Sequence, residues 1–548
     1  MEEKNHVFYV DKTHFIREWW ESGDKVTLIT RPRRFGKTLT LSMLEQFFSV
    51  EHKGSTLFEQ LSIWEDEKYR GLQGTYPVIF LSFSNIKESS YREARRKICR
   101  TLQLLYRRYA FLADDGFLND REREDFERVN PDMEDYEASL AIQQLAGWLY
   151  RLHGRKAIIL LDEYDTPMQE AYVNGYWDDL SVFMRNLFHA TFKGNSFLER
   201  GLMTGITRIS RESIFSDLNN LKVVTTTSEE YADCFGFTEE EVRMALETYQ
   251  TQERMEEVRA WYDGFTFGNC RGIYNPWSIL NFLDTGKLRA YWANTSPNSL
   301  AGKLIREGSK EIKQDFERLI QGQSIDAVLD EQIVYDQLSV KESSIWSLLL
   351  ASGYLKAEQV MFDERTGRTH YRLALTNREV QVMFGGMIHD WFADYDSGYN
   401  DFIRALLSGD VKGMNVYMNR VALATFSFFD SGKRLSAQSE PERFYHGFVL
   451  GMIVELSDRY RITSNRESGF GRYDVLMEPK NTRDDAIILE FKVQDKEDEP
   501  ELSDTVQRAL LQIEEKGYAK ALEAAGVPGE KIRAYGFAFC GKRVLIGE

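Results

Sequence analysis

The sequence predicts an α/β protein that is built from more than one domain. Its first 215 or so residues alternate short runs of β-branched and apolar residues with stretches of helical periodicity. Short apolar runs of this kind are typical of strands buried on both faces of a parallel sheet that is covered by helices. The chain has 548 residues. Because a domain is commonly about 150 residues long, we expect two to four domains.

Four strand candidates define a first domain, which we place at residues 1–240. Helix-like sequence separates the candidates, so consecutive strands can run parallel with helices on both faces of the sheet. This pattern predicts a three-layer α/β fold. The candidates are the apolar runs at residues 26–30, 76–84, 156–165 and 200–210.

The rest of the chain divides into a helical middle and a second α/β unit. Residues 241–435 contain long amphipathic stretches, and Asn275 followed by Pro276 is typical of a helix N-cap and first helical position. We expect a mainly helical lid or connector there, with the role of residues 300–435 open. Residues 436–548 predict a compact α/β unit, with helices and strands at 444–456, 471–479, 486–493, 502–524 and 532–546.

Composition places the chain among globular proteins. Hydrophobic residues make up 43% and aromatic residues 13%, which is too much for a disordered chain. The four cysteines form no CxxC pair and no local Cys/His group of the kind a structural zinc site requires, so we expect reduced, buried thiols. We find no signal-peptide core and no apolar run of about 20 residues, so we expect a cytoplasmic protein without a membrane segment. The net charge of −17 argues against indiscriminate coating of nucleic acid, although a local basic groove stays open.

A phosphate-binding pattern follows the first strand candidate. The segment RPRRFGKT at residues 31–38 precedes a run of helical spacing, so strand, tight loop and helix come in the order that phosphate binding requires. Gly36 lets the backbone approach a phosphate, Lys37 can reach the β and γ oxygens, and Thr38 offers a hydroxyl to Mg²⁺. Arg31 stands where this pattern has its first glycine, so a chance loop is the alternative for the motif alone.

Two later strand ends strengthen this interpretation. The run AIILLDE places Asp162 and Glu163 at the end of an apolar strand. Asp162 can hold Mg²⁺ through water there, and Glu163 can polarise an attacking water. The next strand candidate ends in the polar stretch 204–208, where a side chain can sense a γ-phosphate and Arg208 can offset charge in the transition state. The order of these motifs predicts nucleotide hydrolysis.

These motifs resemble the AAA-ATPase-like family, whose hallmarks are Y-V-D-K-T, R-P-R-R-F-G-K-[ST] and D-E-Y-D. The chain has them at residues 9–13, 31–38 and 162–165, and the resemblance implies that the missing first glycine is normal for the family. The residues alone leave three alternatives for Arg33 and Arg34: contact with phosphate, contact with nucleic acid, or exposure to solvent. The resemblance implies ATP contacts from the loop and the strand end, namely Arg33, Arg34, Phe35, Gly36, Lys37, Thr38 and Asp162.

Aromatic motifs in the middle of the chain look like the same family's middle region. They lie at residues 261–268, 274–279 and 291–296. Packing and turn formation explain them better than ligand binding does.

A second group of charged residues lies in the C-terminal unit. Asp474 belongs to one strand candidate, and Glu490 and Lys492 close the next. Residues two apart on a strand point to the same face, so Glu490 and Lys492 project together, while Ile488 and Phe491 can serve the core. If the two strands pair as a hairpin, Asp474 meets Glu490 across the ladder. Two carboxylates and a lysine would then converge.

This set of groups suits metal-dependent hydrolysis of a phosphodiester. Asp474 and Glu490 would bind a hard divalent ion, Mg²⁺ or Mn²⁺, which lowers the pKa of a bound water. Lys492 would position that water or stabilise phosphate charge. A strand pair that carries ordinary surface ions is the alternative for such an isolated motif.

The C-terminal part resembles the PD-(D/E)xK nuclease superfamily, in the branch fused to AAA-like domains. The resemblance implies a restriction-endonuclease-like fold, a helix at residues 512–518 beside the active centre, and a nucleic acid substrate, with DNA favoured over RNA. Tyr473 stands where the superfamily has its proline. Glu467 and His446 are further candidates, with a salt bridge and a core histidine as their alternatives. The segments that carry the resemblance lie at residues 444–452, 464–474, 488–493 and 509–522.

Together these patterns predict a protein that binds and hydrolyses ATP and couples this to metal-dependent cleavage of nucleic acid. The resemblance links that pairing to mobile-element or phage-defence biology. The alternative is a nucleotide-switched module that grips nucleic acid or a protein without cleaving it, which the acidic stretch 494–504 favours. The sequence leaves open whether the protein forms a homo-oligomer in which Arg208 or Arg211 contacts a neighbour's nucleotide, and whether a protein activates it. It also leaves open the strandedness of the substrate, endo- or exonucleolytic action, control of cleavage by ATP and the physiological trigger.

Overall fold

The computed structural model divides the chain into two compact units. One contains residues 1–308 and 324–380, and the other contains residues 309–323 and 381–548. The boundaries expected near residues 240 and 435 lie inside these units and remain predictions. The residues that the structure describes are 8–114, 116–209, 215, 218–293, 301–302, 304–305, 309–329, 342–393, 399–429, 449–450, 453, 456, 459–464, 467–468, 471–472, 475–481, 483–495, 498–524, 526–540 and 543–548.

A five-stranded parallel sheet organises the first unit, with the strand order β2-β3-β4-β1-β5. The four strands expected from the apolar runs are confirmed, and β1 and β3 are buried along their whole length. Sequence patterns miss β5, because it is short, lies at the edge of the sheet and buries only Val224. The bounds are β1 (Val26–Thr30), β2 (Val78–Ser82), β3 (Ala157–Asp162), β4 (Leu198–Gly205) and β5 (Leu221–Val224).

Helices connect these strands, which confirms the α/β fold class. The expected N-cap of α12 is also confirmed, since the Asn275 side chain accepts the N–H groups of Trp277 and Ser278, and Pro276 opens the helix. The bounds are α1 (His14–Glu21), α2 (Lys37–Phe48), α3 (Glu67–Arg70), α4 (Tyr91–Arg108), α5 (Phe111–Asp114), α6 (Asp120–Glu127), α7 (Asp135–His153), α8 (Thr166–Asn174), α9 (Trp177–Phe188), α10 (Glu239–Thr248), α11 (Met255–Tyr262) and α12 (Pro276–Thr285).

The middle of the chain, which we expected to be mainly helical, also contains two antiparallel sheets. Their strand orders are β6-β8-β7 and β10-β11-β9. The pattern of β10 conceals its strand character, because Val360, Met361 and Phe362 form a continuous apolar run although all three are exposed. The bounds are β6 (Phe237–Thr238), β7 (Phe265–Phe267), β8 (Cys270–Tyr274), β9 (Ile325–Val328), β10 (Leu355–Asp363) and β11 (Arg368–Leu375).

The second unit is built on a mixed sheet with the order β12-β15-β16-β17-β18, in which β16 and β17 run parallel and the other pairs run antiparallel. The expected helix at 502–524 is divided near Gly517, which has φ 66°. The expected final strand is a hairpin of two strands. The bounds are β12 (Tyr460–Ser464), β13 (Glu467–Ser468), β14 (Gly471–Arg472), β15 (Val475–Pro479), β16 (Ala486–Val493), β17 (Ile532–Cys540) and β18 (Arg543–Gly547).

The remaining helices include one that covers the edge of this sheet. The side-chain amides of Asn415 and Asn419 each donate to and accept from the backbone of β18, at Ile546 and Val544 respectively. These bonds replace a further strand and protect the exposed edge. Most of the helix expected at 444–456 lies outside the described residues. The bounds are α13 (Lys310–Ile320), α14 (Glu342–Ala351), α15 (Arg378–Ala393), α16 (Tyr399–Ser408), α17 (Val411–Phe429), α18 (Leu502–Glu515) and α19 (Tyr518–Ala524).

Within the described part of the chain, no helix is both long enough and apolar enough to cross a membrane.

Candidate functional site

The loop after β1 turns sharply into α2. Arg34 and Gly36 have φ of 66° and 86°, in the left-handed region. Glycine adopts this conformation freely, whereas Arg34 holds it at a cost of roughly 1–2 kcal/mol. The carbonyl of Gly36 accepts the N–H of Thr40 (2.8 Å) and starts the helix. The first N–H groups of α2 therefore point toward the loop, where they and the helix dipole favour an anion.

Lys37 is buried beneath this loop. Its ammonium donates to the carbonyl oxygens of Arg31 (2.9 Å) and Pro32 (2.8 Å). An ammonium has three N–H bonds, so a third donor is left to reach a phosphate oxygen. Burial lowers the pKa of Lys37, and nearby carboxylates, led by that of Glu163, oppose the shift.

Asp162 ends β3 beside the loop and joins three elements. Its Oδ2 accepts the hydroxyl of Thr38 (2.7 Å) at the start of α2, and its Oδ1 accepts the hydroxyl of Thr204 (2.6 Å) near the end of β4. Asp162 is only 1% exposed. The two hydroxyl donors therefore take the place of water around its carboxylate. Carboxylate and hydroxyl oxygens are ligands that Mg²⁺ prefers. The structure thus brings together Thr38 and Asp162 as the sequence anticipates, and their metal role stays a prediction.

The residues after β3 lock that strand to the end of β4. The carboxylate of Asp165 accepts the backbone N–H groups of Ile206 (3.0 Å) and Thr207 (2.8 Å). The hydroxyl of Tyr164 donates to the carbonyl of Thr207 (2.7 Å). The last two residues of the D-E-Y-D motif, Tyr164 and Asp165, therefore stabilise the structure next to Asp162.

Glu163 and Arg208 flank this lock. Glu163 has φ 50°, which is a strained conformation for a residue with a side chain, and it accepts the hydroxyl of Thr166 (3.1 Å). Burial lowers the pKa of Lys37, and the negative charge of Glu163, with those of Asp165 and Asp162, opposes this larger effect. Arg208 directly follows the locked residues and is half-buried. The catalytic roles of Glu163 and Arg208 stay predictions.

Arg31, at the position of the missing glycine, is fully buried. Its guanidinium donates to the carbonyl oxygens of Thr225 (2.6 Å) and Tyr231 (3.3 Å), and it lies over the ring of Phe267 (4.6 Å). Burial lowers its pKa to about 10, so the group stays charged at neutral pH. Arg31 therefore fastens the start of the loop to the segment after β5, a role that glycine cannot perform.

The next loop residues pack the loop against the middle region. The carbonyl of Arg33 accepts the side-chain amide of Asn275 (3.2 Å), and the guanidinium of Arg34 lies 4.6 Å from the ring of Trp277. The ring of Phe35 is buried against the aromatic residues of β7. Only the backbone of Phe35 is left for a nucleotide. ATP contacts by these three residues stay predictions.

The C-terminal candidate site is centred on Glu490, which is 1% exposed near the end of β16. Its Oε1 accepts the ammonium of Lys492 (2.8 Å) and the side-chain amide of Gln512 on α18. The expectation that Glu490 and Lys492 share a face is confirmed, as is the burial of Ile488 and Phe491. The catalytic role of the pair stays a prediction.

The expected hairpin beside this site is present. β15 and β16 pair antiparallel, with Val475 opposite Leu489, which are the sequence neighbours of Asp474 and Glu490. Asp474 itself lies outside the described residues, as do Tyr473, His446, Arg211 and the side chain of Glu467. The predicted metal role of Asp474 is therefore untested.

Two family models match the chain on either side of the middle region. Residues 2–215 match a predicted AAA-ATPase family, and residues 440–548 match the PD-(D/E)XK nuclease superfamily. The chain joins an AAA-ATPase-like domain to a PD-(D/E)XK nuclease superfamily domain. Strands β1 to β4 of the parallel sheet and the loop after β1 lie within the first match, and the mixed sheet with Glu490 and Lys492 lies within the second.

A relative from Azotobacter chroococcum mcd 1 resembles nearly the entire chain. It is named an uncharacterized protein in the vnfD 5' region, and it is 24% identical over 545 residues, which cover 96% of this chain and 92% of the relative. The likeness includes the middle region as well as both domains. Its name states no activity.

Sequence patterns did not reveal several residues that shape the ATPase-like site. Arg31 looked like a substitution and is a buried clamp. Asp165 appeared only as the last residue of the D-E-Y-D hallmark, and it holds the end of β4 in place. The signal for both lies in partners more than 40 residues away, which only a folded chain brings near.

Proposed function

We propose that this chain binds and hydrolyses ATP at the loop after β1 and cleaves nucleic acid with a divalent metal ion beside Glu490. The observation that carries the proposal is the convergence of Lys37, Thr38 and Asp162 at the end of a parallel sheet. Such a set suits a polyphosphate with its cation, because it offers an ammonium, a hydroxyl and a carboxylate beside a helix N-terminus.

The described residues fit Mg²⁺-ATP. Thr38 and Asp162 would hold the cation, which offsets charge on the phosphates. Lys37 keeps a donor for a phosphate oxygen while two carbonyls hold it in place. Glu163 would orient the attacking water and accept its proton. Arg208 would stabilise charge that develops on the transferred phosphate.

The residues of the second site fit a hard metal ion and a phosphodiester. Glu490 would bind the ion together with Asp474, and the ion would lower the pKa of a bound water. Lys492 already contacts Glu490, so its ammonium lies where it can orient that water or meet phosphate charge. Gln512 on α18 donates a hydrogen bond to Glu490 and holds it in place. DNA is the proposed substrate, with RNA as an alternative.

The test compares two pairs of variants of the full chain in two assays. ATP hydrolysis and cleavage of single-stranded DNA, double-stranded DNA and structured RNA are measured with Mg²⁺ or Mn²⁺, with and without ATP. The control for Glu490→Gln is Glu515→Gln, at the end of α18 in the same domain. The control for Lys37→Ala is Lys193→Ala. Both control residues are exposed.

We expect Glu490→Gln to lower cleavage at least about 100-fold and to leave ATP hydrolysis unchanged. Lys37→Ala should abolish hydrolysis, and its effect on cleavage tells whether ATP gates the nuclease. Full cleavage by Glu490→Gln would show that the nuclease half of the proposal is wrong.

A nucleotide-switched binding module is the second candidate. The acidic stretch after Lys492 favours it, because exposed carboxylates there would repel a phosphate backbone. Glu499 in this stretch is turned inward, since Arg508 (2.5 Å) and Thr505 (2.6 Å) bind its carboxylate. Nucleic acid binding that responds to ATP, with no cleavage under any metal condition, would support this candidate over the nuclease.

A further inference from the structure

A mixed set of metal-binding side chains lies where α1 meets the segment before β6. His14 and Glu18 belong to α1, four residues apart and therefore on one face. Asp233 and Cys234 come from the segment that follows β5. One ligand atom from each residue lies within 4.8 Å of every other. Cys234 and Glu18 are 216 residues apart in the chain, so no local Cys/His pattern indicates this cluster.

Three of the six separations between the ligand atoms are close to the edges of a tetrahedron around a small metal ion. His14 Nε2 is 3.7 Å from Asp233 Oδ1, and Cys234 Sγ is 3.7 Å from Glu18 Oε2 and 3.8 Å from Asp233 Oδ1. Zinc bonds of about 2.0–2.3 Å place neighbouring ligand atoms roughly 3.3–3.8 Å apart. The remaining separations are at most 4.8 Å, so side-chain movements would bring all four atoms around one ion.

The bonds within the protein leave the cluster incompletely satisfied. His14 Nε2 is buried without a hydrogen-bond partner among the described residues. The thiol of Cys234 has one proton to offer, yet two carboxylates lie within reach of it. A cation would bind all of these groups at once. Cys234 is 2% exposed, while Glu18 and Asp233 are exposed. The cluster is therefore buried on the side of Cys234 and open to solvent on the side of the two carboxylates.

Bonds outside the cluster orient its members. The ammonium of Lys12 donates to the carbonyl of Asp233 (2.6 Å) and to the carboxylate of Glu241 (2.8 Å). The ring of Phe15, next to His14, packs edge-on against that of Phe235, next to Cys234. These contacts hold the two ligand pairs facing each other, as partners around metal ligands commonly do.

We propose that His14, Glu18, Asp233 and Cys234 bind one transition metal ion of the Zn²⁺ class as a structural site. Sulfur and imidazole ligands favour such an ion over Mg²⁺ or Ca²⁺, which prefer oxygen alone. Binding forms a metal–sulfur bond, and the thiol proton leaves to solvent. Four protein ligands complete the tetrahedral coordination that is typical of structural zinc.

The site would support the phosphate-binding loop. The segment that carries Asp233 and Cys234 also supplies the Tyr231 carbonyl that binds Arg31 at the start of that loop. A metal ion that joins this segment to α1 would therefore fix the partner of Arg31. The site itself does not depend on ATP hydrolysis or on cleavage of nucleic acid.

Cobalt binding to the full chain tests the proposal. The protein is stripped with a chelator, and Co²⁺ is titrated in excess Mg²⁺ while absorption is recorded. We expect one equivalent of Co²⁺ with tetrahedral d–d bands and a thiolate-to-cobalt charge-transfer band. Because the candidate Mg²⁺ sites contain no sulfur among their proposed ligands, that band reports on a cysteine site. Zn²⁺ should displace the Co²⁺.

Variants assign the band to this cluster. Cys234→Ser should remove it and weaken Co²⁺ binding at least about tenfold, and His14→Gln should weaken binding similarly while it keeps the sulfur band at high Co²⁺. Cys99→Ser, a buried thiol on α4, is the matched control and should behave as wild type. Wild-type protein without a charge-transfer band overturns the proposal, as does a band that survives in Cys234→Ser. If Cys234→Ser does not fold, the wild-type spectrum and His14→Gln decide.

Discussion

The two candidate catalytic sites are assembled in different ways. In the ATPase-like domain, Thr38, Asp162 and Thr204 come from three elements, and they meet because parallel strands end at one edge of the sheet. In the nuclease-like domain, Glu490 and Lys492 lie two residues apart on a single strand and contact each other directly. The first site therefore depends on topology, whereas the Glu490–Lys492 pair of the second depends on strand geometry.

The difference extends to what surrounds each buried carboxylate. Asp162 is held by hydroxyl groups, so its charge is left to interact with a cation that arrives with the nucleotide. Glu490 already has an ammonium beside it. A site built by topology should fail when a distant clamp is removed, whereas the Glu490–Lys492 pair should be disturbed only through residues that lie against it, such as Gln512.

Removal of the Arg31 clamp should have the largest effect. Arg31→Ala leaves buried carbonyl oxygens without donors, so we expect a loss of about 3–5 kcal/mol in the free energy of unfolding of the ATPase-like domain. Arg31→Lys keeps the charge but not the planar fork, and it should recover only part of the loss. Urea denaturation of both variants beside wild type measures this. Wild-type stability in Arg31→Ala would show that the first site does not depend on this clamp.

Loss of the Asp162 charge should affect only the first site. Asp162→Asn keeps the size of the side chain and an acceptor for one hydroxyl, but it should lower ATP hydrolysis about 100-fold, since the charge that would meet Mg²⁺ is gone. Cleavage in the absence of ATP should stay at the wild-type rate. Steady-state hydrolysis against Mg²⁺ concentration measures the effect, with Asp178→Asn on α9 as a control. Equal loss in both variants would contradict the assignment.

Another buried carboxylate lies outside both candidate sites. Glu379 is held by neutral donors, the hydroxyl of Ser278 and the N–H groups of Trp292 and Ala293. Burial raises its pKa to about 7. The folded protein thus binds this proton more tightly than the unfolded chain, so the stabilisation is complete below about pH 4.5 and is lost as the pH rises through about 7.

Glu379→Gln should flatten that pH dependence. The amide keeps most of the hydrogen bonds without a charge, so between pH 5 and 8 we expect the variant to lose about 1–3 kcal/mol less stability than wild type. Denaturation midpoints across this range test the expectation. The exposed Glu364→Gln is the control, and a wild-type slope in Glu379→Gln would assign the pH dependence to another group.

The contact of Gln512 with Glu490 should matter least. Gln512→Ala removes one donor from the carboxylate but leaves Lys492 in place, so we expect cleavage to fall about tenfold with ATP hydrolysis unchanged. Gln512→Glu should cost more, because it sets a second negative charge beside Glu490. Single-turnover cleavage rates distinguish the two. If Gln512→Ala lowers ATP hydrolysis as well, the effect of Gln512 is not confined to the nuclease-like site.

Sequence patterns predicted most of the architecture where residues repeat in a regular way. The apolar runs predicted β1 to β4, because strands buried on both faces need continuous apolar sequence. The same reasoning missed β5 and took β10 for part of a helical region, since edge strands carry mixed or exposed side chains. Local spacing also placed Glu490 and Lys492 on one face.

Residue types and their spacing were enough to predict the identity and order of the two domains, the strand that carries Glu490 and Lys492, and the loop with Lys37 and Thr38. These features are local, so their residue types and spacing specify them. Tertiary structure alone decided that Arg31 is a clamp and that His14 and Cys234 face each other. Such contacts join residues about 200 or more positions apart. Their partners are set by how the sheet and its connections fold, which no short stretch of sequence encodes.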